Sequence, residues 1–162
     1  MEGIFLLLGS NLGERTKSLN QAIHALRKKG VKLVKKSSIY ETAAWGIEDQ
    51  QAFLNQVLQV DTSLAPEELL KLILEIELEL GRVRKIKWGE RIIDIDILYY
   101  NDILCQEKNL EIPHPGIPHR RFTLIPLVEI CPELLHPKIK ISQKKLLDNC
   151  NDNLEVHLFY KY

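Results

Sequence analysis

The order in which strand-like and helical segments alternate constrains this chain more than any single residue does. The apolar run "GIFLLLG" reads as a fully buried strand ended by glycine. In "SNLGERTKSLNQAIHALRKKG", Leu19, Ile23 and Leu26 recur at helical spacing, and Gly30 closes the helix after a basic turn. "VKLVKKSSIYET" alternates partly and is rich in β-branched residues, which predicts a strand. "AAWGIEDQQA" reads as a loop and "FLNQVLQVDT" as another strand. "SLAPEELLKLILEIELELG" is the clearest helix, with Pro66 suited to its first turn and Gly81 to its stop. A basic loop, "RVRKIKWGER", leads into a strand, "IIDIDILYY". The order β-α-β-β-α-β is the split βαβ, ferredoxin-like pattern of an α+β fold. It predicts an antiparallel sheet with helices packed on one face.

The rest of the chain carries weaker signals. "NDILCQEKNLEIPHPGIPHRR" holds three prolines and reads as irregular. "FTLIPLVEI" predicts a short helix bent near Pro126, and a final edge strand fits "VHLFYKY". A length of 162 residues predicts one domain over 1–162. Basic and acidic residues balance at 22 each, which argues against a general nucleic-acid or membrane-surface binder. The N-terminal apolar run, Ile4–Leu8, is too short for a signal peptide's hydrophobic region, and a cytoplasmic protein is expected. Three scattered cysteines without CxxC spacing fit reduced thiols. No exposed apolar helix stands out, so a monomer is expected.

Asp94 and Asp96 are the main anomaly. Side chains alternate along a strand, so these two share a face while Ile93, Ile95 and Ile97 point to the core. An open, solvated face accommodates aspartates. Yet aspartate is depleted in strands, and two like charges roughly 6–7 Å apart repel unless a positive group lies between them. A divalent cation answers this, and hard carboxylate oxygens suit Mg²⁺. The adjacent loop holds Arg82, Arg84, Lys85, Lys87 and Arg91 against one acid, Glu90. Such a loop is either a solvated basic segment or the partner of a polyphosphate.

Three further features draw attention. Glu77 falls inside the apolar arc of its helix, so it needs a partner, a raised pKa, or a route out to solvent near Gly81. His114 sits between Pro113 and Pro115, where a stiff turn presents its imidazole to solvent or to a phosphate. His24, His119 and His136 lack such a setting and read as structural or surface residues. Trp45, Phe53 and Phe122 are grouped with Asn55, a set able to stack a flat heterocycle and read its edge, although for Phe53 and Phe122 taken individually core packing is the stronger reading.

Together these residues resemble the 6-hydroxymethyl-7,8-dihydropterin pyrophosphokinase family of folate biosynthesis. "KWGERIIDIDIL" carries the closest likeness, and "LLLGSNLGER", "FLNQV", "LGRVR", "PHP" and Arg120 with Phe122 add to it. The resemblance implies transfer of pyrophosphate from ATP to the pterin hydroxymethyl group, with AMP released. Two Mg²⁺ would be held by Asp94 and Asp96, with Arg82 and Arg91 serving catalysis. Glu77, Arg84, Lys85, Trp88, Ile97, His114 and Arg120 would contact ATP or the loop covering it. Thr42, Ala43, Ala44, Trp45, Phe53, Asn55 and Phe122 would hold the pterin. Phe53 stands where relatives often have tyrosine, Lys87 where arginine is common and Glu90 where proline is common. No GxxxxGK[ST] phosphate loop occurs. Two rival readings remain at this stage: a metal-dependent phosphoesterase or nuclease on the same aspartates, and a non-catalytic nucleotide- or pterin-binding module.

Overall fold

A computed structural model describes residues 3–43, 49–82 and 90–161. Its elements run β1 (Ile4–Ser10), α1 (Arg15–Lys28), β2 (Lys32–Lys36), β3 (Ile39–Thr42), β4 (Phe53–Asp61), α2 (Pro66–Glu79) and β5 (Asp94–Tyr100). There follow β6 (Cys105–Glu107), β7 (Leu110–Ile112), α3 (Arg121–Ile130), α4 (Gln143–Asp148) and β8 (Val156–Tyr160). The main sheet has the order β5-β1-β4-β3-β8, with β2 also paired to β4, and its pairings are antiparallel. This is the expected ferredoxin-like α+β core. The segment expected as one strand over 31–42 is split into β2 and β3, which pair successively with β4.

The apolar stripes of α1 and α2 explain one layer. Leu19, Ala22, Ile23 and Leu26 of α1 and Leu69, Ile73 and Ile76 of α2 bury against Leu6, Leu8, Leu54, Leu58, Ile95 and Ile97. Helix α2 starts where expected: Pro66 opens it and the Glu68 carboxylate accepts the Ala65 N–H at 2.7 Å. Gly81, at φ +91°, ends it in the left-handed region that glycine adopts without strain.

Helices on one face only is the expectation that fails. Leu124 and Leu127 of α3 and Leu146 of α4 cover Phe5, Leu7, Val57, Leu98 and Tyr99 on the opposite face. Every residue of β1 is therefore buried. A strand covered on both sides reads as a continuous apolar run, which is what "IFLLLGS" shows. The segment expected to be irregular holds the β6–β7 hairpin and a 3₁₀ turn over Ile117–His119. The tail holds α4 and β8, and β8 pairs with β3 as the edge strand fitted to "VHLFYKY".

Candidate active site

Helices α3 and α4 cover only part of their face, and the uncovered part is the site. Cross-strand register places Asp94, Gly9, Asn55, Tyr40 and Leu158 in one row across five strands. The next row toward α3 holds Asp96, Leu7 and Val57. On the other side, Phe53 is opposite Thr42. A cavity of about 510 Å³ opens over these rows. It is lined by Asp94, Asp96, Arg82, Arg91 and Arg120 together with Thr42, Ala43, Phe53, Asn55 and Phe122. Ten residues singled out from the sequence thus meet in one place, drawn from β3, β4, β5, α3 and the segments beside them.

Charge is arranged as a chain. Glu77, only 3% exposed, accepts the Ile95 N–H at 2.8 Å and pairs with Arg82. Arg82 also donates to Asp94 Oδ1 at 2.7 Å, and Arg91 donates to Asp94 Oδ2 at 2.6 Å. Burial raises the Glu77 carboxyl, and the Asp94 charge adds to this, while the Ile95 bond and Arg82 oppose it. Glu77 therefore has the buried partner its place in the apolar arc required, and it orients Arg82 from beneath. The Asp96 carboxylate makes no hydrogen bond or ion pair among the described residues. Burial first, then Asp94 and Glu77, push its carboxyl up to about 7, against the pull of Arg120 and Arg91. Two carboxylates on one face, one of them unpaired, form the hard-oxygen donor set that Mg²⁺ takes, and the residues fit such an ion.

The other end of the cavity is neutral. Thr42 and Asn55 are almost fully buried, and Thr42 Oγ1 lacks a hydrogen-bond partner among the described residues. Gly9 makes room beside them: a Cβ there would stand 3.2 Å from Asn55 Oδ1. Phe122 carries the Arg120 guanidinium 5.7 Å from its ring centroid, so cation and ring form one wall.

Some residues fall elsewhere. The Ile97 side chain lies in the core between sheet and helices and is not among the cavity-lining residues described. The alternation that exposes Asp96 necessarily buries its neighbour. His114 is not among the cavity-lining residues described. Its Nδ1 accepts the Gly116 N–H at 3.0 Å, and burial and the nearby Arg120 push its pKa down to about 4. It is therefore a neutral imidazole at pH 7. Ala44, Trp45, Arg84, Lys85, Lys87 and Trp88 lie outside the described residues.

Four residues of the site went unnoticed in the sequence. Gly9 and Leu7 form its floor, and His119, read as structural or surface, lines it. The fourth, Asn11, is fully buried and ties two segments together. Its Oδ1 accepts the Arg91 N–H at 2.7 Å, and its Nδ2 donates to Gln50 Oε1 and to the Gln51 carbonyl, both at 3.2 Å. The signal lay in "GSN", where a small residue and a short amide follow a buried strand. Arg15 holds the same flank, donating to Glu41 at 2.6 Å and to the Ala52 carbonyl at 2.7 Å.

A ferredoxin-like scaffold with an acidic pair, three guanidiniums and an amide–aromatic recess on one sheet face belongs to the class that handles polyphosphate beside a flat ring. The family follows from residues 5–132, which match the family model for 7,8-dihydro-6-hydroxymethylpterin-pyrophosphokinase (HPPK). The chain belongs to the HPPK family. It is 46% identical over 137 residues to the 2-amino-4-hydroxy-6-hydroxymethyldihydropteridine pyrophosphokinase of Aquifex aeolicus, covering 85% of each chain. It is 46% identical over 131 residues to the enzyme of that name from Bacillus subtilis, covering 80% of this chain and 78% of the relative. It also matches the folic acid synthesis protein fol1 of Pneumocystis carinii at 44% identity, covering 87% of this chain but 19% of that longer protein. Among solved structures, Plasmodium falciparum HPPK-DHPS with pteroate superposes with a TM-score of 0.74 at 19% identity. That match covers 92% of this chain and 43% of the other, and supports the fold.

Proposed function

We propose that this protein transfers the pyrophosphoryl group of ATP to the hydroxymethyl group of 6-hydroxymethyl-7,8-dihydropterin, releasing AMP, with Mg²⁺ as cofactor. The observation that carries the reading is the two-ended cavity. Carboxylates and arginines stand at one end and Asn55, Thr42 and the phenylalanines at the other. In-line attack at the β-phosphorus needs placement and charge neutralisation rather than a protein nucleophile.

Asp94 and Asp96 would hold two Mg²⁺, which supply charge neutralisation on the phosphate oxygens. Arg82, Arg91 and Arg120 neutralise the remaining charge, with Arg84, Lys85 and Trp88 as further ATP contacts. Arg82 and Arg91 both bind Asp94 in this structure, which would keep both guanidiniums beside a phosphate held there. Neutral His114 offers a single N–H donor at its Nε2, beside Arg120. Phe53 and Phe122 would sandwich the pterin, with Trp45 a further expected substrate contact. Asn55 and the unpaired Thr42 hydroxyl read its edge, with the main chain of Ala43 beside Thr42 and Ala44 as a further expected contact.

A cytoplasmic location accords with ATP as co-substrate and three free cysteines. No helix among the described residues is long and apolar enough to cross a membrane.

The test is product analysis with ATP and Mg²⁺, with and without the pterin. AMP formed only when pterin is present is the expected result. ADP, or AMP formed without pterin, would replace this reading with a phosphohydrolase.

A further inference from the structure

We propose that Gly116 is a positioning residue, whose missing side chain forms the seat that holds the Arg120 guanidinium at the phosphate end of the cavity, an inference that rests on the nucleotide reading of that end. The three guanidiniums of the site are held in different ways. Arg82 is held by Glu77 and Asp94, and Arg91 by Asp94. The Arg120 guanidinium makes no ion pair or hydrogen bond among the described residues. Its neighbours are instead the Phe122 ring, with the centroid 5.7 Å away, and Gly116. A Cβ at Gly116 would stand 2.9 Å from Arg120 Cζ and Nε and 3.0 Å from Nη1. That is closer than side chains pack, so the guanidinium occupies the space a side chain at 116 would fill.

Conformation does not call for glycine here. Gly116 has φ −75° and ψ −13°, ordinary right-handed backbone that any residue adopts. Its carbonyl accepts the His119 N–H at 3.2 Å, and the 3₁₀ turn over Ile117–His119 brings Arg120 back beside it. Its N–H donates to His114 Nδ1 at 3.0 Å, which leaves Nε2 as the donor of that neutral ring. Gly116 therefore sets two neighbouring donors, His114 by a main-chain bond and Arg120 by empty space. A ring face and a bare Cα hold Arg120 without using its N–H groups, so these stay free for an anion. Arg82 and Arg91, by contrast, already spend donors on Asp94.

Gly116→Ala isolates the seat, because alanine keeps the N–H and suits the backbone conformation, and adds only a methyl. The experiment compares the full-length wild type with Gly116→Ala, Arg120→Ala and the double variant. NMR follows the Arg120 Nε–H signal without ligand. Calorimetry measures affinity for α,β-methylene-ATP with Mg²⁺ and, separately, for the pterin. In Gly116→Ala the Arg120 signal should move as the guanidinium leaves its place beside the Phe122 ring. Nucleotide affinity should fall on the order of tenfold, the scale of a lost charge-assisted contact. Melting temperature and pterin affinity should hardly change. Added to Arg120→Ala, the same methyl should cost nothing further, which a general structural defect would not show. An unmoved Arg120 signal would overturn the proposal, as would a moved signal with unchanged nucleotide affinity. So would a loss as large in the Arg120→Ala background as in the wild type. A wild type that binds no nucleotide would break the reading of the cavity end instead, and the Arg120 signal would still decide whether Gly116 is the seat.

Discussion

The two faces of the sheet are built from the same strands and obey the same period of two, yet one is dry and the other does chemistry. On the α1–α2 side, Leu6, Leu8, Leu54, Leu58, Ile95 and Ile97 are buried beneath two amphipathic helices. On the other side, α3 and α4 stop short, and the residues alternating with these, Asp94, Asp96, Gly9 and Asn55, line a cavity. The difference teaches where charge can be kept near a core. Asp94 and Asp96 are tolerated because arginines and an open cavity stand on their side, while their immediate neighbours Ile95 and Ile97 point away. Glu77 is the link between the faces. It belongs to α2, but it binds the β5 backbone and, through Arg82, Asp94.

That contrast can be broken one face at a time. Replacing either Asp94 or Asp96 by Ala should lower AMP formation on the order of 10³-fold or more, because a charge-neutralising group at the transferring phosphate is lost. The melting temperature should stay near wild type, since neither residue contributes to the core. An unfolded variant, or one with wild-type turnover, would show that the two faces are not separable in this way. Leu58→Ala makes the converse cut. Denaturant unfolding should lose about 2–5 kcal/mol, the usual cost of deleting a buried leucine side chain, while turnover of the folded fraction stays within a few-fold. A large loss of kcat in that variant would mean that the core sets the site's geometry more tightly than the layers suggest.

Glu77→Gln sharpens the comparison at its link. The amide oxygen still accepts the Ile95 N–H, but the ion pair to Arg82 is gone. Turnover should fall roughly ten- to a hundredfold through a misplaced Arg82, as for other groups that orient a site from behind. Pterin affinity, read separately by titration, should hardly change. Equal losses in both would make Glu77 a general structural residue instead. The smallest effect belongs to Gly9→Ala. Its new methyl presses on Asn55 at 3.2 Å, so pterin binding should weaken a few-fold with kcat nearly unchanged. A fall in kcat alone would place Asn55 nearer the reacting atoms than the edge-reading role allows.

Much of this was legible in the chain before any coordinates. The helical spacing of Leu19, Ile23 and Leu26, the Pro66 start and the Gly81 stop of α2, and the paired faces of β5 are local patterns. Local patterns depend on rise and period, which each short stretch carries by itself. Arg82, Arg91, Asp94 and Asp96 stood out for the same reason, being close in sequence and anomalous for their element. The second helical layer did not stand out, since nothing in "FTLIPLVEI" tells which face of a distant sheet it will cover. Gly9 and Asn11 were missed for a related reason. Each is ordinary where it stands, and matters only because Asn55 or Arg91 is brought alongside.

What the sequence alone determined, then, is the alternation of elements and, within each, which side is apolar and which carries charge. Backbone period and side-chain chemistry settle both without reference to anything distant. Only the tertiary structure decided that α3 halts before Asp94 and leaves a cavity. It also decided that Asn11 joins the Gln50–Gln51 segment to Arg91. These depend on register and packing between residues tens of positions apart, where burial of the whole core, rather than any local preference, chooses the neighbours.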